Sequence, residues 1–270
     1  MADRPQPQPG ILKIDPYVPG RSDVPAGVTL VKLSANESPL GASPKAIEAY
    51  RALADKFHIY PEGSSRLLRE ALGEVHGLDP ARIVCGFGSD DLLRLLAQSY
   101  LGEGDEAVMS QYGFNVYPII TRSASAEVVV APETDYRASV DALLRAVTAR
   151  TKVMFLANPN NPTGTYLDAD ELRRLHAGLR PDILLVVDSA YAEYVTADDY
   201  TVGVDLVDEA EGLCLGRVHE AVALERLLDG LDLLAGVLVV DLVQSLAEVE
   251  DLLGLDLDVR RLALRPAGVL

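Results

Sequence analysis

Three short strings in this sequence hold residue types that do chemistry. Ala157-Asn158-Pro159-Asn160-Asn161-Pro162-Thr163-Gly164 directly follows an apolar run, Lys152 to Ala157. Asn, Pro and Gly in that order make a rigid loop from which an amide can be aimed inward at a ligand. Further along, the apolar run Ile183 to Val187 ends in Asp188-Ser189-Ala190-Tyr191, a carboxylate and a phenol close together. An acid just past a run of Leu and Val is costly to desolvate without a positive partner. The third string, Gly86-Phe87-Gly88-Ser89-Asp90-Asp91, is a glycine turn running into a helix, where free N–H groups and the helix dipole favour a dianion. Each string also has a plain structural reading: a tight turn for the first, a helix N-cap for Asp188, and a capped helix start for Ser89 and Asp90. Tyr112, within Ser110-Gln111-Tyr112-Gly113-Phe114, is on its own an ordinary packing residue.

The intervening pattern predicts a scaffold that gathers these strings. Short apolar runs at 82–87, 106–110, 126–131, 152–157 and 183–187 read as strands, and 90–101, 114–122, 139–149 and 168–179 read as amphipathic helices between them. That alternation implies a mostly parallel sheet with helices on both faces, and ligands in such sheets bind at the carboxyl ends of the strands. Upstream, Ser43-Pro44 opens a helix towards Lys56 and a second helix spans Arg66 to His76, ended by Gly77. Residues 1–41, rich in Pro and Gly, read as an N-terminal arm lying over a surface, and 42–211 as one large domain.

The pairing of an N-P-N-N-P-T-G loop with a later strand ending in D-x-A-Y resembles the aspartate aminotransferase superfamily of pyridoxal-phosphate enzymes. Three upstream strings narrow the likeness: Ile14-Asp15-Pro16-Tyr17-Val18-Pro19-Gly20, Lys32-Leu33-Ser34-Ala35-Asn36-Glu37-Ser38-Pro39-Leu40-Gly41 and His58-Ile59-Tyr60-Pro61. Together they resemble the histidinol-phosphate aminotransferases over residues 11–208. The resemblance implies the large domain of a fold type I pyridoxal-phosphate transferase, a mostly parallel mixed sheet incomplete at its C-terminal end. It implies that Asp188 pairs with the pyridinium nitrogen, that Asn161 and Tyr191 bond the ring's 3-oxygen, and that Tyr112 stacks on the ring. Ser89 and Asp90 would meet the cofactor phosphate, and Tyr60 would reach the phosphate held by the neighbouring subunit of a homodimer. Tyr17 and Asn36 would approach the substrate. The implied reaction moves an amino group between L-histidinol phosphate and 2-oxoglutarate in histidine biosynthesis.

The family also needs a lysine after the D-x-A-Y strand, to bond the cofactor and to move the substrate's α proton. No lysine follows Lys152, which begins a strand and reads as a solvent-facing strand-end residue. Arginine cannot replace it, because it stays protonated. From Gly212 to Leu270 the chain has no Lys, Asn, Tyr, Phe, Thr or Met and is roughly one-third Leu. The stretch 212–270 therefore reads as an unrelated leucine-rich tail, favoured here as an off-frame reading of GC-rich DNA over a divergent domain or a fusion. Helices at 218–228 and 242–253 and a strand at 236–240 are its expected elements. A sheet stopped before its last strands would leave an exposed edge. As written, the chain is expected to be inactive alone, with no catalytic residue to name. The alternative to the enzyme is a non-catalytic protein that binds the cofactor non-covalently at most, or pairs with a full-length subunit.

Bulk properties leave small molecules and other proteins as the expected partners. A net charge of -17 on 270 residues repels nucleic acid and anionic lipid. Two distant cysteines, Cys85 and Cys214, support neither a disulfide framework nor a zinc site, so a reducing cytoplasm fits, and no apolar stretch is long enough to span a bilayer.

Overall fold

The computed structural model describes residues 7–15, 25, 27, 36, 41–56, 58–204 and 206, and the backbone of the strands at 213–217 and 237–241. Helix α1 (Pro44–Leu53) starts where expected, with the Ser43 hydroxyl accepting from Ala46 N–H and proline in its first turn. Helix α2 (Arg66–His76) ends at Gly77, whose φ of 67° is a left-handed conformation that glycine adopts without a Cβ clash. Strand β1 (Ile83–Gly86) leads into α3 (Gly88–Tyr100), and β2 (Glu106–Ser110) into α4 (Val116–Ser123). Then follow β3 (Glu127–Ala131), α5 (Val140–Ala146), β4 (Thr151–Ala157), α6 (Ala169–Gly178) and β5 (Leu184–Asp188), with β6 (Leu213–Arg217) and β7 (Val237–Asp241) last.

The seven strands form one sheet in the order β1-β7-β6-β5-β4-β2-β3. Every ladder among the described residues is parallel, so the mixed character expected from the resemblance is not present in them. Side chains alternate between the faces along each central strand. Val153, Phe155 and Ala157 with Leu184 and Val186 pack under α3 and α4. Met154 and Leu156 with Leu185 and Val187 pack under α5 and α6. Both faces are thus covered, which explains why β4 and β5 read as near-continuous apolar runs. By this alternation Asp188 falls on the α3/α4 face.

Residues 213–217 lie beyond the boundary expected at 211. They pair with β5 in register, Val186 opposite Cys214 and Asp188 opposite Gly216, so the expected boundary at 211 falls between neighbouring strands of one sheet. β7, shifted by one residue from the strand expected at 236–240, lies between β6 and β1. Beside β5 the sheet therefore continues rather than stopping at an open edge. The short run Leu-Cys-Leu-Gly-Arg was hidden by the change of composition around it. The helices expected at 218–228 and 242–253 lie outside the described residues.

Residues 7–15 of the N-terminal arm lie against α4 and β3. Lys13 Nζ pairs with Glu127 at 2.5 Å, and Ser125 Oγ donates to Gln8 Oε1 at 3.0 Å. Gly10 is required there, since a Cβ would stand 2.1 Å from the Arg122 carbonyl oxygen. Helix α6 is set by a capping box: the Asp168 carboxylate accepts from Glu171 N–H at 2.8 Å, and Glu171 accepts from Asp168 N–H at 3.1 Å. Replacing Asp168 with alanine is expected to cost about 1 kcal/mol, read as a lower urea midpoint at unchanged slope.

Candidate active site at the carboxyl edge of the sheet

Because the ladders are parallel, the loops after β1, β2, β4 and β5 leave the same edge of the sheet, and these are the loops that carry the chemistry-bearing strings. Strand order reverses between β2 and β4, which opens a crevice of the kind that holds ligands in α/β sheets. Two hydrogen bonds tie the crevice together. Asn160 Nδ2 donates to the Tyr112 carbonyl at 3.0 Å, and Asn158 N–H donates to the Asp188 carbonyl at 2.9 Å.

The loop after β4 is built around Asn158, which is 1% exposed. Its side-chain oxygen accepts from Leu167 N–H at 2.7 Å and its amide donates to the Leu167 carbonyl at 3.1 Å. Tyr200 closes the other side by donating to the Asn158 carbonyl at 2.7 Å. Residues 159–164 are thereby held at both ends, and Asn161, half-buried, is presented from them. A cleft of about 410 Å³ opens there, lined among others by Asn36, Asn160, Asn161, Tyr191 and Tyr194. Asn36 Nδ2 donates to the Tyr191 hydroxyl oxygen at 2.7 Å, which leaves the Tyr191 proton available to another acceptor. Asn160 Oδ1 is buried in this wall with no hydrogen-bond partner among the described residues.

Asp188 does not line the cleft. It is buried at the end of β5, 4% exposed, with Oδ2 accepting from the Tyr117 hydroxyl at 2.9 Å and Oδ1 from Ala190 N–H at 3.3 Å. Burial pushes its carboxyl up to about 6, against the two hydrogen bonds, and the nearby Asp90 charge adds to the rise. The expected positive partner is absent among these contacts; the protein partner is a phenol. Tyr117 is itself buried, and burial first, then the Asp188 charge, keep its proton well attached. Sequence reasoning missed Tyr117. It stands in the apolar stretch Val116 to Ile120 and looks like core, yet a buried acid needs a donor, and Phe114 and Tyr117 are spaced to share one helix face.

The remaining expected residues are placed less closely together. Ser89 is buried and Asp90 exposed in the first turn of α3. There Asp91 accepts from Phe87 N–H at 3.2 Å and pairs with Arg94 at 2.5 Å. The Tyr112 ring packs on Tyr136, 5.1 Å between centroids, and is 40% exposed; only its carbonyl touches the cleft wall. Tyr60 is 97% exposed, far from any core. Tyr17 lies outside the described residues. Lys152 sits at the opposite edge of the sheet, its ammonium 3.5 Å from Asp182, roughly 16 Å along β4 from Ala157.

Among the described residues, no group of three or more His, Cys, Asp or Glu is placed to hold a metal ion, and no helix is long and apolar enough to cross a membrane. The cleft brings together a phenol, Tyr191, and the amides of Asn36, Asn160 and Asn161, with the buried acid Asp188 behind it at the end of β5.

Known proteins resemble this chain in sequence and in fold. The chain is 59% identical over 204 residues to the histidinol-phosphate aminotransferase of Nitrobacter hamburgensis, an alignment covering 75% of this chain and 56% of that protein. It is 56% identical over 220 residues to the enzyme of the same name from Rhodopseudomonas palustris strain HaA2, covering 81% and 60%. The chain thus spans less than two thirds of the length of these relatives. Among solved structures, histidinol-phosphate aminotransferase from Sinorhizobium meliloti in complex with pyridoxal-5'-phosphate superposes with a TM-score of 0.63 at 28% identity, covering 66% of this chain and 49% of that one. An aspartate aminotransferase variant from Thermus thermophilus gives 0.57 at 28% identity, covering 66% and 50%. The family model for aminotransferase class I and II matches residues 28–217, and with that match over most of its length the chain belongs to the class I and II aminotransferases.

Proposed function

We propose that this chain carries the ring-binding side of a pyridoxal-phosphate site, in an aminotransferase that converts L-histidinol phosphate and 2-oxoglutarate to imidazole-acetol phosphate and L-glutamate. The observation that carries the reading is the buried Asp188 at the end of β5, with Tyr191 three residues on entering the cleft that Asn161 also lines. The named relatives support the substrate, and the solved complex supports the cofactor.

In this reading Asp188 holds a proton on the ring nitrogen, and a cation there returns its raised carboxyl to the ionised form. Asn161 and Tyr191 orient the ring through its 3-oxygen, and Asn36 fixes the Tyr191 hydroxyl from the arm side. The first turn of α3, with Ser89 and Asp90, faces the cofactor phosphate, and Tyr112 would border the ring only with its side chain turned away from Tyr136. Bound pyridoxal phosphate supplies the electron-withdrawing ring that draws off charge developing at the substrate's α carbon. Tyr17 and Asn36 meet the substrate. In this reading exposed Tyr60 serves a neighbouring copy in a homodimer.

The position of Lys152 favours a second reading of the chain as given. The last lysine of the sequence lies at the opposite edge of the sheet and no described lysine lines the cleft, which supports a chain that binds the cofactor reversibly or serves as a non-catalytic partner. Purified chain is expected to take up pyridoxal phosphate and to make no glutamate from histidinol phosphate and 2-oxoglutarate. Steady glutamate formation at about 1 s⁻¹ or faster would reject the non-catalytic reading. Failure to bind the cofactor at all would reject both.

A further inference from the structure

We infer that Tyr117 is a positioning residue for Asp188: its hydroxyl fixes the carboxylate and keeps it an anion, so that a protonated heteroaromatic nitrogen can be held at the end of β5. The inference rests on the reading of Asp188 given above, and it assigns a role to a side chain outside the N-P-N-N-P-T-G and D-x-A-Y strings.

Geometry carries it. Tyr117 is 1% exposed and reaches Asp188 from α4, a separate element, at 2.9 Å. Its ring is fixed independently of that bond. It stacks on Phe155 of β4 with centroids 5.1 Å apart and planes 11° apart, and Phe114 packs edge-on at 5.7 Å and 89°. The hydroxyl is therefore aimed by packing rather than by the carboxylate it meets. With Ala190 N–H on Oδ1, each carboxylate oxygen receives one protein donor and keeps lone pairs for a ligand.

A phenol suits this place better than a cation does. Lysine or arginine would cancel the charge that attracts a cationic ligand. A neutral donor stabilises the anion and leaves its charge in force. The groups acting on Asp188 are Tyr117 from α4, Asp90 from α3, whose charge opposes ionisation, and the Ala190 amide. Without the hydroxyl, burial and Asp90 stand opposed by the amide alone, and the acid keeps its proton to higher pH. A protonated acid cannot hold a protonated ring nitrogen.

Tyr117→Phe keeps the ring packing and removes the donor. In the full ligand-free chain, the Asp188 carboxyl carbon, assigned with Asp188→Asn, is expected to titrate about one unit higher in the phenylalanine variant, the size of one hydrogen bond to a charged group. Affinity for pyridoxal phosphate is expected to fall about fivefold at pH 6 and to approach the parent's at pH 8, as proton competition predicts. Tyr117→Leu, which also removes the ring, should show the same titration shift with a further loss of thermal stability. An unmoved Asp188 titration, or a binding defect of equal size at both pH values, would overturn the inference and leave Tyr117 a packing residue. If instead Asp188→Asn binds the cofactor as the parent does, the reading of Asp188 fails, while the titration in the ligand-free chain still decides the coupling to Tyr117.

Discussion

Asparagine in place of Asp188 is expected to lower affinity for pyridoxal phosphate about a hundredfold and, in the same protein, to make the ligand-free chain more stable at pH 8 by about 2 kcal/mol. The two effects share one cause. Folding removes the carboxylate from water and pushes its carboxyl up to about 6, so the folded chain binds this proton more tightly than the unfolded one. The destabilisation is therefore absent below about pH 4, grows as pH rises through about 6, and is constant above that. Asparagine carries no charge to desolvate. It also keeps the local bonds, since its oxygen can accept from Ala190 N–H while its amide donates to the Tyr117 hydroxyl, which can accept as well as donate. What it cannot do is attract a protonated ring nitrogen. Glu171, Asp141 and Asp182 are held below their usual range, mainly by hydrogen bonds from Arg137, Arg174 and Arg180, and they impose the opposite slope at lower pH. The difference between parent and variant urea midpoints across pH 4 to 8 isolates Asp188. A difference that stayed flat would show that the carboxyl is not raised.

Alanine at Asn158 is the substitution with the largest expected loss of stability. One side chain satisfies both peptide groups of Leu167, itself 1% exposed, and neither group has water to fall back on once the amide is gone. Two buried polar groups left unpaired cost on the order of 3 kcal/mol together. Asp at the same position keeps the acceptor for Leu167 N–H and loses the donor to its carbonyl, so it should fall between. The functional consequence follows from the connection: Asn158 locks the 159–164 loop to the entry of α6, and Asn161 is presented from that loop. Chemical unfolding of the three proteins, together with cofactor affinity, checks both statements. A loss under about 1 kcal/mol for alanine would mean that the loop is anchored elsewhere, for instance by Tyr200.

Much of the scaffold was legible because its signals are local. The parallel sheet follows from apolar runs separated by amphipathic stretches, and α1, α2, α6, β2 and β4 fall within a few residues of their expected limits since Ser43, Gly77 and Asp168 are themselves start and stop signals. Asn161 and Tyr191, each part of a contiguous string, both line the cleft. Three features were not legible. Tyr117 meets Asp188 across 71 positions of sequence, a contact that depends on how α4 crosses the sheet. The tilt of Tyr112 towards Tyr136 depends on the conformation of two loops. Strand β6 is five residues inside a stretch of altered composition, where a change in residue usage looked like the end of the fold.

The ring-binding role proposed for Asp188, Asn161 and Tyr191 comes with no lysine among the described residues that line the cleft. Titrating the purified chain with pyridoxal phosphate, reducing with borohydride and mapping modified peptides tests it most directly. The expected result is uptake that is reversed by dialysis, lost in Asp188→Asn, and leaves no lysine modified in proportion to site occupancy. One cofactor fixed per chain on a single lysine, Lys152 above all, with the labelling abolished by Asp188→Asn, would contradict it.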